Sequence, residues 1–418
     1  MTTDTRFDVL IIGAGPAGLF CACNAATAGN AVLVLEKNPT PGKKLLLTGS
    51  GQCNITHDGP VRDFLAHYGD HGHFLKPALM NFSNTALISF FRERGLDVVT
   101  TTAGKVFPAT LKSADVLHIL KKECSMHGVT VQYNEPVQEV STREDLFLVV
   151  SRNRTYCGTT LVIATGGASY PGTGSTGDGY RFASSLGHTI AETAPALAPV
   201  IADGNQFGDL AGISFDSLSF SLWREGKKIG SHRGDLLVTH HGLSGPGVLD
   251  YSRFIRAGDI IRLSFAGPVS KEQFVKDLAE KIAAHPLSNV KTIVLQYQIP
   301  ERLVITLMAL SGVPGDLTCA HLTKPQRNAL ISNLLEFPVR VGKLGGYTEA
   351  MVTRGGVSLQ EIDQKTMESR LVPGLYFAGE IIDIDGDTGG YNIQAAFSTG
   401  YLAAKAILGK NGPGRKSQ

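Results

Sequence analysis

Long apolar runs are missing from this sequence. No stretch of about twenty consecutive apolar residues occurs, so nothing in it offers a membrane-spanning helix. Blocks of like charge are missing too. Lysine plus arginine number 39 against 37 aspartate plus glutamate, a net charge of +2. The basic residues gather only in short pairs such as Lys43-Lys44 and Arg415-Lys416. That balance argues against nucleic acid and against an acidic membrane as partners, because phosphate contacts demand clusters of lysine and arginine. The six cysteines are scattered without a CxxC pair, and Cys21 and Cys23 stand two apart on one helical stretch, pointing away from each other. This is the usage of a reducing compartment, and no metal centre is expected. The polar start MTTDTRFD lacks a basic n-region, so no secretory leader is expected. These absences predict a soluble, cytoplasmic protein, and its 418 residues allow two or three compact units.

What is present begins at residues 6–37, RFDVLIIGAGPAGLFCACNAATAGNAVLVLEK. Residues 7–12 form an apolar, β-branched run short enough for a strand buried on both faces. The run enters Gly13-Ala14-Gly15-Pro16-Ala17-Gly18, then an alanine-rich helix ending near Gly29, then a second apolar run stopping at Glu36. Strand, glycine turn, helix, strand and acid make the dinucleotide-binding βαβ unit. Gly13 serves the tight turn, Gly15 lets backbone approach a pyrophosphate, and Gly18 lets helix and strand pack closely. The helix start presents N–H groups to phosphates, and Glu36 can accept hydrogen bonds from a ribose 2′-OH.

Residues 41–54, PGKKLLLTGSGQCN, read either as a loop lying along an extended ligand or as a solvated surface loop. Helices are expected over 86–94 and 114–127, the second with Ser113 as N-cap. A strand at 129–133 and a β-meander at 136–140, 146–152 and up to 165 lead back to the parallel sheet, ending in Ala164-Thr165-Gly166-Gly167. Gly172-Thr173-Gly174-Ser175-Thr176-Gly177 also fits GxGxxG, but no train of βα units follows it. A helix start at Thr176-Gly177-Asp178-Gly179, facing the same cofactor, is the better account. Strands at 218–223, 236–239 and 260–265 then predict a β-rich insert around the loop 239–246, THHGLSGP. Helices at 271–285, 300–311 and 325–335 predict a smaller helical insert. Strands return at 339–341 and 350–353. Finally Gly374 to Glu380 reads as a short strand, and a helix follows from about residue 393. A carboxyl-terminal strand that completes an amino-terminal nucleotide site points to FAD, with Glu380 on ribityl hydroxyls and the helix starting at Asn392 aiming its positive end at the flavin.

With these residues in hand, the sequence resembles the HI0933-like flavoprotein family, whose relatives include aminoacetone oxidase and bile-acid enone reductase. The resemblance rests on 43–56 (KKLLLTGSGQCNIT), 105–108 (KVFP), 164–180 (ATGGASYPGTGSTGDGY), 236–246 (LLVTHHGLSGP) and 354–400. It implies a Rossmann-like α/β FAD-binding domain with a β-rich insert that itself carries a helical insert. The boundaries expected are 1–194 with 354–418, then 195–267 with 337–353, then 268–336. The FAD set it implies comprises Gly13, Ala14, Gly15, Pro16, Ala17, Gly18, Glu36, Lys37, Lys43, Gly49, Gln52, Cys53, Asn54, Val137, Ala164, Thr165, Gly166, Asp178, Gly379, Glu380, Gly390, Tyr391, Asn392 and Ile393. One departure stands out: the family's GRCN loop is here Gly51-Gln52-Cys53-Asn54, which removes a fixed positive charge.

The chemistry expected is that of an FAD-dependent oxidoreductase, with hydride passing through flavin N5 between NAD(P)H or an organic substrate and a small-molecule acceptor. NAD(P)H would dock transiently, since no separate nicotinamide domain is evident. A flavin oxidase making hydrogen peroxide, or an FAD-dependent RNA-modifying protein, are the alternatives. Proton-transfer candidates are His240, His241, Tyr170 and Tyr391. The substrate, the choice of reductant and the oligomeric state leave no signal in the sequence.

Overall fold

In a computed structural model the described residues are 5–152, 154–204, 208–265, 267 and 269–411. The chain divides into two compact units, residues 1–196 with 347–418, and residues 197–346.

The first unit is built on a seven-stranded mixed sheet. Strand Thr5–Ile12 lies between Val32–Leu35 and Thr155–Ile163, all parallel, and Thr130–Gln132 extends the sheet beyond Val32–Leu35. The far side of Thr155–Ile163 is shared. Its first half pairs antiparallel with Leu146–Ser151, which pairs in turn with Val137–Arg143. Its second half pairs parallel with Leu375–Phe377, a strand from the other end of the sequence. Side-chain alternation explains why these runs are apolar throughout. Val9, Ile11, Val32, Val34 and Val162 feed one core cluster, while Leu10, Ile12, Leu33, Leu35, Leu161 and Ile163 feed another. Helices Pro16–Ala25, Ser113–Met126 and Tyr391–Asn411 contribute to the first cluster through Leu19, Phe20, Leu120 and Phe397.

The second unit holds a closed barrel of six strands: Val200–Ala202, Gly242–Ser244, Lys227–Thr239, Ser214–Arg224, Ile260–Ser264 and Phe337–Leu344. Inward positions such as Leu222, Leu236, Ile261 and Val339 join one apolar cluster with Phe274, Leu278, Val304, Leu307, Leu330 and Leu334. Those last residues come from helices Lys271–Ala284, Glu301–Leu310 and Lys324–Leu335. Barrel and helices therefore share a core.

Local expectations fail in three places. Ser113 is not an N-cap: Lys112 takes that position without a side-chain cap, and Ser113 Oγ donates to the Leu46 carbonyl at 3.0 Å. Residues 41–54 are not one loop. Lys43–Leu47 forms a short helix, followed by tight turns in which Gly49, Ser50, Gly51 and Cys53 all have positive φ. Residues 347–353, expected in the β-rich insert, fall in the first unit, where Val352–Val357 pairs antiparallel with Ile190–Ala196.

The glycine turn is where close packing is most demanding. Gly13 has φ +106°, and a Cβ there would lie 2.5 Å from the Ala164 oxygen. A Cβ on Gly18 would lie 1.9 Å from the Gly13 oxygen, with backbone on both sides of the clash. Gly18→Ala is expected to lower stability by about 3 kcal/mol, the upper end of the usual overpacking cost, because backbone must move. Urea denaturation followed by circular dichroism measures it, and an unchanged midpoint would refute the packing argument.

Candidate active site

The parallel strands Thr5–Ile12, Val32–Leu35, Thr155–Ile163 and Leu375–Phe377 all point one way, so their carboxyl ends fall on one edge of the sheet. Ligands of open α/β sheets bind at that edge. Gly13, Gly15, Glu36, Ala164, Thr165 and Glu380 all follow directly from it.

Gly15 differs from its neighbours in an informative way. Its backbone is ordinary, at φ −80° and ψ −178°, and a Cβ there would meet no atom within 4 Å. Neither strain nor protein packing requires glycine at this position. An extended group approaching the backbone from outside does, as a pyrophosphate would. Helix Pro16–Ala25 starts beside it without a capping side chain and without an acid in its first turn, so its positive end is not offset.

Glu36, only 7% exposed, closes this end of the site. Its Oε2 accepts the Ala14 N–H at 3.0 Å, and its Oε1 accepts the backbone and side-chain N–H groups of Asn38 at 2.9 and 2.8 Å. Gly174 of the second glycine segment approaches the same place: a Cβ on it would lie 2.4 Å from Asn38 Nδ2. Lys37 Nζ reaches Thr176 Oγ1 at 2.6 Å and Asp178 Oδ2 at 2.7 Å. Partial burial opposes the charged form of Asp178, but Lys37 outweighs it and holds the carboxyl below its ordinary range. Val137 opens the neighbouring strand, and Arg181 donates to the carbonyl of Gln138 beside it. The second GxGxxG segment thus packs against the residues that follow Glu36.

Further along, Lys44 pairs with both oxygens of Glu380 at 2.9 and 2.7 Å, and Thr353 N–H donates to Glu380 Oε1 at 2.9 Å. Lys43, implied as an FAD contact, opens the short helix Lys43–Leu47, on which Lys44 follows it. A Cβ on Gly379 would lie 2.9 Å from the Ala17 Cβ of the glycine helix. The carboxyl-terminal strand and the amino-terminal turn therefore border a common space.

The far end is formed by residues 48–57 and 386–394. A Cβ on Gly390 would lie 2.5 Å from the Thr56 oxygen, and Thr56 Oγ1 donates to Gln394 Oε1 at 2.7 Å. Helix Tyr391–Asn411 begins here, again with no acid in its first turn. Asn392 braces the approach to it, accepting the Gly386 N–H and donating to the Gly386 carbonyl, each at 2.8 Å. Asn54 Oδ1 is buried without a hydrogen-bond partner, the condition of an acceptor awaiting a donor from a ligand. Cys53 is fully buried, and burial pushes its thiol up to about 12, so it packs and does not act as a thiolate. Gln52 is exposed.

The four proton-transfer candidates are divided between the two units. His240 and His241 belong to the second, exposed on the turn between Lys227–Thr239 and Gly242–Ser244. Tyr170, at φ +56°, caps a short turn and donates its N–H to the Tyr347 carbonyl at 2.8 Å. Tyr391 is 4% exposed and lies between two imidazoles, stacked on His57 at 5.1 Å and on His67 at 4.0 Å. His67 was not anticipated. Its Nδ1 lies 3.0 Å from Asp387 Oδ2, and Asp387 N–H donates to the His67 carbonyl at 2.8 Å.

An open glycine turn, an acid beyond the second strand and a far end completed from the carboxyl terminus define the dinucleotide site of a flavoprotein oxidoreductase. The chain belongs to the family described as HI0933-like protein Rossmann domain, matched over residues 7–406. It is 35% identical over 406 residues to ribosomal RNA dihydrouridine synthase of Escherichia coli K12, covering 96% of this chain and 98% of that protein. It is 29% identical over 404 residues to 3-dehydro-bile acid delta(4,6)-reductase of Clostridium scindens, covering 95% and 98% respectively. Among solved structures, a single-residue variant of E. coli quinol fumarate reductase FrdA superposes with a TM-score of 0.53 at 15% identity, over 100% of this chain and 72% of that one.

Gly15→Val separates the ligand's need from the fold's. The variant is expected to melt within a few degrees of wild type and to purify with little or no flavin colour, because the valine side chain occupies the approach to the backbone. Full flavin content in the variant would refute the assignment of the turn.

Proposed function

We propose that this protein is an FAD-dependent reductase of a carbon–carbon double bond conjugated to a carbonyl, and that its substrate is a uridine of ribosomal RNA. The supporting observation is the near full-length likeness to a ribosomal RNA dihydrouridine synthase, at 35% identity. The bile-acid reductase relative supports the same chemistry on another skeleton. In uracil the C5=C6 bond is conjugated to the C4 carbonyl, as the steroid double bonds are to the C3 carbonyl.

Bound FAD supplies hydride chemistry, with NAD(P)H as its transient reductant. The chain's own residues supply the rest. Gly15 and the start of helix Pro16–Ala25 hold the pyrophosphate, and Glu36 holds the ribose. Lys44 holds the Glu380 carboxylate, which would accept from the ribityl hydroxyls. The start of helix Tyr391–Asn411 favours negative charge at the far end.

Saturating a conjugated double bond also requires a proton at the carbon next to the carbonyl. His67 is the donor in this proposal. Asp387 engages Nδ1, which fixes the ring and its tautomer, while stacking on Tyr391 sets its plane. Nδ1–H donates to the Asp387 carboxylate, so the proton transferred is the one on Nε2 of the imidazolium, and the neutral ring left behind has Nε2 as its acceptor. His67 retains 38% side-chain exposure, enough to regain a proton from water.

The test is incubation of the FAD-loaded protein and NADPH with ribosomal RNA from cells lacking its gene, followed by nucleoside mass spectrometry. Dihydrouridine is expected; its absence, with a steroid enone reduced instead, would replace RNA as substrate. His67→Asn is expected to slow product formation by about 10²- to 10⁴-fold. Flavin content and flavin reduction by NADPH should stay as in wild type, and added imidazole should restore part of the rate. A full rate in His67→Asn would remove it as donor.

A further inference from the structure

The barrel unit carries a surface that the dinucleotide site does not use. Strands Ser214–Arg224 and Lys227–Thr239 are joined by a two-residue turn, Glu225 and Gly226, with φ of 50° and 76°. Two successive left-handed residues are the mark of a tight hairpin whose twist matches its strands. The exposed residues after the turn are Lys227, Lys228 and Ile229.

Beside this hairpin lies helix Pro246–Tyr251. A Cβ on Gly230 would come 2.4 Å from the Tyr251 hydroxyl, so the tyrosine lies directly on the strand. Tyr251 stands third in a stepped series of rings. Phe220 meets His232 at 5.5 Å, His232 stacks on Tyr251 at 5.1 Å and 18°, and Tyr251 meets Phe254 at 5.2 Å. The series begins in the barrel core, where Phe220 is 3% exposed, and ends in solvent, where Phe254 is 51% exposed.

Cations prevail at the exposed end. Arg224 ties the hairpin to the Phe254 carbonyl at 2.9 Å and engages both oxygens of Asp259 at 2.8 Å. Asp259 is 2% exposed, so that acid is neutralised and hidden. Lys227, Lys228 and Arg256 remain exposed, with Glu225 as the exposed acid on the turn. An open ring held from behind by other rings, with exposed cations on the hairpin that Arg224 ties to it and at Arg256 two residues along the chain, fits a partner that offers flat unpaired faces and a regular negative backbone. Single-stranded nucleic acid has both.

We propose that Phe254, with Lys227, Lys228 and Arg256, is a docking surface for a single-stranded segment of ribosomal RNA. A base stacks on the Phe254 ring and the flanking phosphates meet the cations. The proposal rests on the RNA-reducing function above, and concerns a surface apart from the residues assigned to the dinucleotide.

The experiment measures binding of deproteinised ribosomal RNA to the FAD-loaded full chain by filter retention across a salt series. Phe254→Ala should weaken binding about tenfold or more, and Phe254→Trp should restore it. Lys227→Gln with Lys228→Gln should lower the slope of log affinity against log salt by about 0.7 for each lysine that meets a phosphate. Flavin content, melting temperature and flavin reduction by NADPH should not change in any of these variants. Wild-type affinity and slope in Phe254→Ala and in the lysine variant, from a protein that still makes dihydrouridine, would overturn the docking surface and leave the function standing. A wild type that binds no RNA and makes no dihydrouridine would overturn both. Binding of the wild type to phosphatidylglycerol vesicles but not to RNA would likewise overturn the surface as proposed.

Discussion

The approach of helix Pro16–Ala25 to the strand before it depends on a side chain that is absent. A Cβ on Gly18 would sit 1.9 Å from the Gly13 carbonyl oxygen, and one on Gly13 would collide with Ala164. Three backbone segments therefore meet where any methyl group would force them apart. The same device recurs at the other end of the chain. Gly400 lets the last helix lie against the Ala17 carbonyl, and Gly390 lets its start lie against Thr56. The polar groups of the site hang on elements fixed by these contacts. Groups from distant parts of the sequence thereby keep their spacing while the described cysteines all remain free thiols.

Charge follows that frame. The acids that line the site are held by partners: Glu36 by three N–H groups, Asp178 by Lys37, Glu380 by Lys44. The two helix starts carry no acid in their first turns. The site thus presents neutralised carboxylates as hydrogen-bond acceptors and uncompensated helix ends as anion receptors. An extended ligand with phosphates near one end and a charge-accepting ring at the other suits that arrangement.

Much of the frame was legible in the sequence because its signals are local. The strand at residues 5–12, the glycine turn, the helix and Glu36 lie within one continuous stretch, and the uninterrupted apolar runs report burial on both faces. The parts that escaped depend on contacts between distant residues or on segments too short to show a period. Lys43–Leu47 has five residues, fewer than two helical turns, so the segment showed no helical period. His67 lies in an irregular stretch of short 3₁₀ turns, and its partner Asp387 is 320 residues away. Ser113 had the right residue type for a cap but met the Leu46 carbonyl instead. Net charge speaks only for the chain as a whole. A value of +2 averages over surfaces, and says nothing about how exposed cations are distributed.

The shared edge of strand Thr155–Ile163 has a consequence for how the molecule comes into being. Its first half is occupied by the adjacent meander, but its second half waits for Leu375–Phe377, far downstream. During synthesis the amino-terminal half emerges with that ledge bare, and the whole barrel unit is made before the missing strand arrives. The edge of the sheet that borders the glycine turn is therefore completed only after the barrel unit has been made, a long-range pairing of the kind that forms late.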